Sequence, residues 1–186
     1  MNIALYGGSF DPFHIGHEKI VYEVLNNIDI DKILIVPTFL NPFKKTYLLD
    51  PKDRYEMIRE LFNGDYKIEV LDFEIKQNKA TPTIKTIEYI QKKYNPKKIY
   101  LIIGADNLKT LHLWQDFHKL KQNVTFIVVS RDDYEEKNGI IDPINIKLNI
   151  DISSTKLREK LDLKYIPKKI EQKVKQIWNK NKEFKQ

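Results

Sequence analysis

The 186-residue sequence predicts an α/β fold, a doubly wound parallel sheet with helices on both faces. Three observations predict it. Short apolar runs alternate along the chain with segments of helical spacing. The runs are apolar without interruption, as strands buried on both faces are. No internal repeat and no linker separates one set of elements from another, so the alternation reads as a single domain over 1–186.

The elements follow in order. Asn2–Tyr6 (NIALY) is a short apolar strand ended by glycine. From His14 to Ile28, apolar residues at Ile20, Val21, Val24, Leu25 and Ile28 keep helix spacing. KILIVP (32–37) is the second strand. Asp50 can cap the next helix and Pro51 suits its first position. Tyr55, Ile58, Leu61 and Phe62 form its expected inner face, and Gly64 follows as a stop. KIEVLD (67–72) is a strand, and Ile84, Ile87, Ile90 and Tyr94 line a helix closed by Asn95-Pro96. KIYLIIG (98–104) is a strand, 105–121 is helical in part, and VTFIVVS (124–130) is a further strand. Residues 132–145 are polar, with Asn138-Gly139 and Asp142-Pro143, and read as a loop. IKLNID (146–151) is the expected last strand, and Ser153 to Leu161 a short helix. The closing helix starts near Pro167 and turns Ile170, Val174, Ile177 and Trp178 inward. Its polar end, 179–186, is expected to fray.

This is the pattern of a Rossmann-like sheet. In such sheets ligands sit outside the carboxyl ends of the strands, where strand order reverses. The rule singles out 7–17, 38–46, 104–106, 130–132 and 152–155 before any motif is considered.

Composition narrows the chemistry. Hydrophobic residues make up 41% and charged residues 31%, as in water-soluble globular chains. No apolar run reaches the roughly 20 residues a bilayer needs, and the N-terminus does not read as a signal peptide. The expected compartment is the cytoplasm. The chain has no cysteine, which excludes disulfides, thiolate metal sites and thiol catalysis. The net charge of +6 comes from scattered lysine pairs with no basic stripe interleaved with aromatics, so no nucleic-acid partner is expected. Nothing in the sequence sets an oligomeric state.

The stretch YGGSFDPFHIGH (6–17) carries the strongest signal. Gly7 and Gly8 allow unusual backbone angles and close approach of a ligand to main-chain N–H groups. His14 and His17 fall three apart in the first turn of a helix, whose N-terminus already favours anions. Two imidazoles added there make a site for a polyphosphate that gains charge in a transition state. A zinc pair lacks a third ligand nearby, so no protein-held metal is expected. Neither the six-residue dinucleotide glycine fingerprint nor a Walker sequence is present.

GGSFDPFHIGH resembles the signature of the nucleotidyltransferase superfamily that carries His-x-Gly-His. Within that superfamily the chain is most similar to the bacterial nicotinate-nucleotide adenylyltransferase family, over nearly its whole length. Gly104, Asp106 and Trp114 in GADNLKTLHLW resemble the family's Gly-x-Asp segment and its following tryptophan. ISSTKLR (152–158) resembles its Ile-Ser-Ser-Thr-x-x-Arg motif. The chain departs in three places: Asn41-Pro42-Phe43-Lys44 replaces Pro-Pro-His-Lys, Thr81-Pro82-Thr83 replaces Ser-Tyr-Thr, and Asp132-Asp133 follows Arg131 in place of Pro-Gly.

The resemblance implies adenylyl transfer from ATP to nicotinate mononucleotide, giving nicotinate adenine dinucleotide and pyrophosphate, with Mg²⁺ carried by ATP. It implies catalytic roles for His14, His17, Lys44 and Arg158. It puts ATP on Gly7, Gly8, Ser9 and Phe10, on Gly104, Asp106 and Arg131, and on Ser153, Ser154 and Thr155. The mononucleotide falls to Asn41, Thr83, Ile84 and Trp114, the last either stacked on the pyridine or in the core. Trp178 reads as core, Asp11 as a turn or cap residue, and His112 and His118 have no role. The alternatives are phosphopantetheine or nicotinamide mononucleotide adenylyltransferase; Gly104, Asp106 and Trp114 argue against the first. A non-catalytic nucleotide sensor is the alternative of another class. Retention of His14, His17, Lys44 and Arg158 together argues against it.

Overall fold

The computed structural model describes residues 1–130, 140, 142–149 and 152–183. Among them, six strands form one sheet: β1 (Asn2–Gly8), β2 (Lys32–Pro37), β3 (Ile68–Val70), β4 (Lys98–Gly104), β5 (Thr125–Ser130) and β6 (Ile144–Lys147). The order is β3-β2-β1-β4-β5-β6 and every pairing is parallel. The order reverses between β1 and β4, so the crevice for a ligand opens beyond Gly8 and Gly104.

The period-two geometry of a strand lets each apolar run feed two cores. Ile3, Leu5, Leu34, Val36, Leu101, Ile103, Phe126 and Val128 point to one face. There they meet Ile84, Ile87 and Ile90 of a helix over Thr83–Tyr94. Ala4, Tyr6, Ile33, Ile35, Ile102 and Ile127 point to the other face. They are covered by α1 (Ile15–Asn27) through Val21 and Val24, and by α2 (Pro51–Leu61) through Ile58.

Asp50 caps α2 by accepting from Lys52 N at 2.8 Å, with Pro51 first in the helix. The buried face of α2 differs from the expected one. Arg54, Met57 and Ile58 are buried, whereas Tyr55 and Leu61 are only half-buried. The face is rotated because the Arg54 guanidinium has carbonyl partners inside.

Four residues after β3 form a short helix, α3 (Phe73–Lys76), too brief to show a period in sequence. It is followed by α4, the helix Thr83–Tyr94, which closes on Asn95 in the left-handed conformation (φ 43°). The partly helical stretch after β4 is a 3-10 segment, Ala105–Leu113, then α5 (Phe117–Asn123).

The last strand lies at Ile144–Lys147, earlier than the expected 146–151 and inside the expected loop 132–145. Pairing with Ile127–Ser130 places it there, with Ile146 buried and Asn145 and Lys147 exposed. A short helix, α6 (Ser154–Glu159), a 3-10 turn (Lys168–Ile170) and a closing helix, α7 (Glu171–Glu183), pack on α2 through Met57, Leu157, Ile170 and Val174. Trp178 is buried, as expected for a core residue. The helix continues through Glu183. Asn181 Nδ2 donates to Leu48 O at 2.9 Å and holds that turn down.

Candidate active site

The crevice is a cavity of about 590 Å³ at the carboxyl ends of β1, β4 and β5. Strand β1 runs on through both glycines, with Gly7 beside Val36 and Gly8 beside Pro37. Neither glycine takes a left-handed angle. The residue that does is Phe10, at φ 48°, held by ring contacts to Tyr6 at 5.2 Å and Phe13 at 5.4 Å. The chain turns at Phe10, and Gly7, Gly8, Ser9 and Phe10 all line the cavity.

His14 is the N-cap of α1, one position ahead of the first turn in which sequence placed it. Its Nδ1 accepts from Gly16 N at 3.1 Å, while His17 Nδ1 accepts from His14 N at 3.2 Å. The rings stack at 3.7 Å. This is a capping box built from two imidazoles, the second doing the work usually done by Glu or Gln. A nitrogen that accepts an N–H carries no proton. Both rings are therefore neutral with the proton on Nε2. Burial, with His14 beside it, holds the His17 imidazole well below the ordinary histidine range. Phe10 at 5.0 Å and Phe13 at 5.1 Å wall it in.

The glycine of His-x-Gly-His has a steric cause. A Cβ on Gly16 would lie 2.9 Å from Cε1 and Nδ1 of His14. Any side chain there would push the capping ring out of place.

A cationic corner flanks the histidines. Lys44 Nζ donates to Ser9 Oγ at 3.4 Å. Arg158 donates to Asp11 O at 3.0 Å and to Thr155 Oγ1 at 2.8 Å. Burial and then the Arg158 guanidinium push the Lys44 amine down, with Asp11 pulling it back. An anion placed between them would relieve that repulsion. Ser154 Oγ donates to Pro12 O at 3.0 Å and fastens the start of α6 to the opening turn; Ser153 caps α6 through Lys156 N at 3.3 Å.

Across the reversal point, Asp106 folds back over Gly104, where a Cβ would collide with its Oδ1. Burial and the charge of Asp106 keep the Tyr6 hydroxyl protonated far above the usual range. Trp114 is half-buried: it packs on the β4 core and also lines the cavity. Asn41 and Thr83 line the cavity too. Ile84 does not; its side chain is 1% exposed in the core, so only its main chain could meet a ligand. Arg131 lies outside the described residues. His112 and His118 are exposed and line no part of the cavity.

Sequence read Asp11 only as a turn or cap residue and passed over Arg54. Asp11, 3% exposed, accepts from Leu48 N at 2.9 Å and Leu49 N at 2.8 Å. Arg54, 1% exposed, donates to the carbonyls of Leu49 at 3.0 Å, Phe39 at 3.0 Å and Ser9. Burial lowers its pKa, and Asp11 and then Asp50 raise it. The guanidinium thus ties the glycine turn, the loop after β2 and the entry to α2 into one floor. A charged residue at a helical position reads as solvated in sequence. Only the convergence of three carbonyls in space reveals it.

No helix among the described residues is long and apolar enough to cross a membrane. Residues 5–160 match the model of the family described as cytidylyltransferase-like. A Sulfurimonas denitrificans protein named "probable nicotinate-nucleotide adenylyltransferase" is 48% identical over 90% of this chain and 89% of its own. A Campylobacter jejuni protein of the same name is 43% identical over 97% of this chain and 98% of its own. Among solved structures, Plasmodium falciparum nicotinic acid mononucleotide adenylyltransferase complexed with NaAD superposes with a TM-score of 0.78 at 25% identity, covering 94% of this chain and 95% of that one.

Arg54→Met should destabilise the fold by several kcal/mol, because each stranded buried acceptor costs about 1–3 kcal/mol. It should also raise the KM for the nucleotide bound above the floor. Urea unfolding and steady-state kinetics read both, and wild-type values in the two would remove Arg54 from its place under the site.

Proposed function

The chain belongs to the cytidylyltransferase-like family, and from that premise we infer that it transfers the adenylyl group of ATP to nicotinate mononucleotide, yielding nicotinate adenine dinucleotide and pyrophosphate. The observation that carries the reading is the reciprocal histidine cap at the reversal point of the sheet. Both histidines line the cavity, and the reading calls on neither a side-chain nucleophile nor a general base.

The reaction needs neither. The attacking group is the phosphate of the mononucleotide, whose second pKa is about 6, so it is largely a dianion at neutral pH. Its oxygen bonds to the α-phosphorus of ATP as the bond to pyrophosphate breaks. The protein has to align two polyanions and offset the charge that builds on the oxygens. We assign the Nε2–H groups of His14 and His17 to the α-phosphate and the leaving pyrophosphate. Because the donors are neutral, they do not depend on imidazolium, and burial of His17 protects that state. Lys44 and Arg158 clamp phosphates from the side. The turn Gly7–Phe10 and the Ser153–Thr155 segment cradle ATP, and Asp106 above Gly104 orients a ribose.

Trp114 stacks on the pyridine. The main-chain N–H groups at the start of α4, where Pro82 supplies no side-chain cap, receive the ring carboxylate. Among the described residues no group of three or more His, Cys, Asp or Glu could hold a metal. Mg²⁺ arriving with ATP would keep phosphate and water ligands and would lower the charge of the polyphosphate. We place the reaction in the cytoplasm.

Pyrophosphate release from ATP with competing acceptors tests the reading. Nicotinate mononucleotide should be used with a kcat/KM about 100-fold above nicotinamide mononucleotide, because an amide mismatches buried donors built for a charged acceptor. Phosphopantetheine should not be used. Equal use of the two mononucleotides would reduce the function to a general pyridine-nucleotide adenylyltransferase.

His17→Ala should cut kcat by about 100-fold or more, the scale of one lost transition-state donor. It should cost about 1 kcal/mol of stability through the cap. Near-normal turnover by the folded variant would refute the phosphate assignment.

A further inference from the structure

Three buried side-chain atoms among the described residues have no hydrogen-bond partner: Thr38 Oγ1, Glu74 Oε2 and Trp114 Nε1. All three residues line the cavity. Buried polar atoms are almost always paired in a folded protein, so three orphans around one cavity point to a ligand that completes them. Glu74 is the unusual member, because it is acidic in a pocket otherwise suited to anions. It lies on α3 with 5% of its surface exposed.

Its other oxygen, Oε1, accepts from Thr86 Oγ1 at 2.7 Å. Thr86 is the fourth residue of α4, so the carboxyl is fastened to the first turn of that helix. The start of α4 has no side-chain cap, and Thr81, Pro82 and Thr83 there line the cavity. An ionised Glu74 would occupy the positive pole of α4 from below. A ligand carboxylate at the same pole would be a second negative charge in an apolar setting, and two such charges resist being ionised together.

We propose that Glu74 determines specificity through its proton: protonated, it admits an acceptor with a ring carboxylate at the start of α4, and ionised, it repels that carboxylate and favours the neutral carboxamide. The proposal rests on the cavity being a pyridine-mononucleotide site. Glu74 acts as a positioning residue, through its charge and through Thr86. Binding of the acidic acceptor then draws one proton from solvent onto Glu74 wherever the free protein holds it ionised.

Burial pushes the Glu74 carboxyl up to about 7, with the Thr86 hydrogen bond pulling the other way. The charged neighbours on the surrounding elements are engaged elsewhere. Lys76 pairs with Asp72 at 2.9 Å, Lys85 with Glu88 at 3.0 Å and Lys32 with Glu69 at 3.0 Å. The titratable groups facing it across the cavity are Tyr6, His14, His17, Lys44, Asp106 and Arg158.

The test uses the full chain with ATP and Mg²⁺ between pH 6 and 8.5. The measured quantity is the ratio of kcat/KM for nicotinate over nicotinamide mononucleotide. In the wild type it should fall as pH rises through about 7, with a limit of about tenfold per unit for one linked proton. Glu74→Gln should make it flat. Thr86→Val removes the bond that favours the ionised form, so it should move the midpoint to higher pH. That variant carries the test if Glu74→Gln does not fold. Calorimetry of nicotinate mononucleotide binding at pH 7.5 in two buffers should show proton uptake by the wild type that Glu74→Gln lacks. Matching pH profiles and proton counts in wild type and both variants would overturn the proposal while leaving the activity intact. Failure of the wild type to use either mononucleotide would overturn the functional reading and this proposal with it.

Discussion

The site is organised around the hydrogen bonds that two histidines exchange with the start of α1. A helix begins with N–H groups that have no partner inside it. Here one is taken by Nδ1 of His14, and Nδ1 of His17 reaches back to the amide of His14. Each bond fixes a ring's orientation and its tautomer at once. The same pair that caps the helix belongs to two residues that line the cavity. Gly16 is required because the capping ring occupies the space of its side chain. Phe10 accepts a left-handed angle to bring its ring against His17. Folding and chemistry use the same atoms.

The surroundings divide charge by location. Arg54 and Asp11 are buried and bond to backbone; no direct ion pair joins them among the described residues. Asp11 takes the amides of Leu48 and Leu49, and Arg54 takes carbonyls of three segments. They hold the floor still. Lys44 and Arg158 stand at the edge, close enough to repel and within reach of an arriving anion. Glu74 sits at the far end, where burial opposes its ionisation. Cationic side chains thus line the cavity at Lys44 and Arg158, and burial opposes charge at Glu74.

Much of the frame was legible in sequence because burial on both faces leaves a continuous apolar run. KILIVP and KIYLIIG coincide with β2 and β4, and Asp50-Pro51 marks the start of α2. The cavity brings together the glycine turn, both histidines, Lys44, Asp106, Trp114 and Arg158, each read from a strand end or a motif. What escaped had no one-dimensional signature. Strand β6 alternates Asn145 and Lys147 with apolar residues at a sheet edge, which reads as loop. Helix α3 is four residues long. Arg54 and Glu74 look like surface charges until tertiary packing encloses them. Histidine is not a usual cap, so the His14–His17 box was visible as a motif but not as a hydrogen-bond pattern.

The central claim is that both imidazoles are neutral donors at Nε2, and side-chain ¹⁵N NMR of the full chain at neutral pH addresses it directly. The spectra should show His14 and His17 as the Nε2–H tautomer, with His17 still neutral well below the ordinary histidine range. An imidazolium, or a proton on Nδ1, in either ring would contradict the cap and the mechanism built on it.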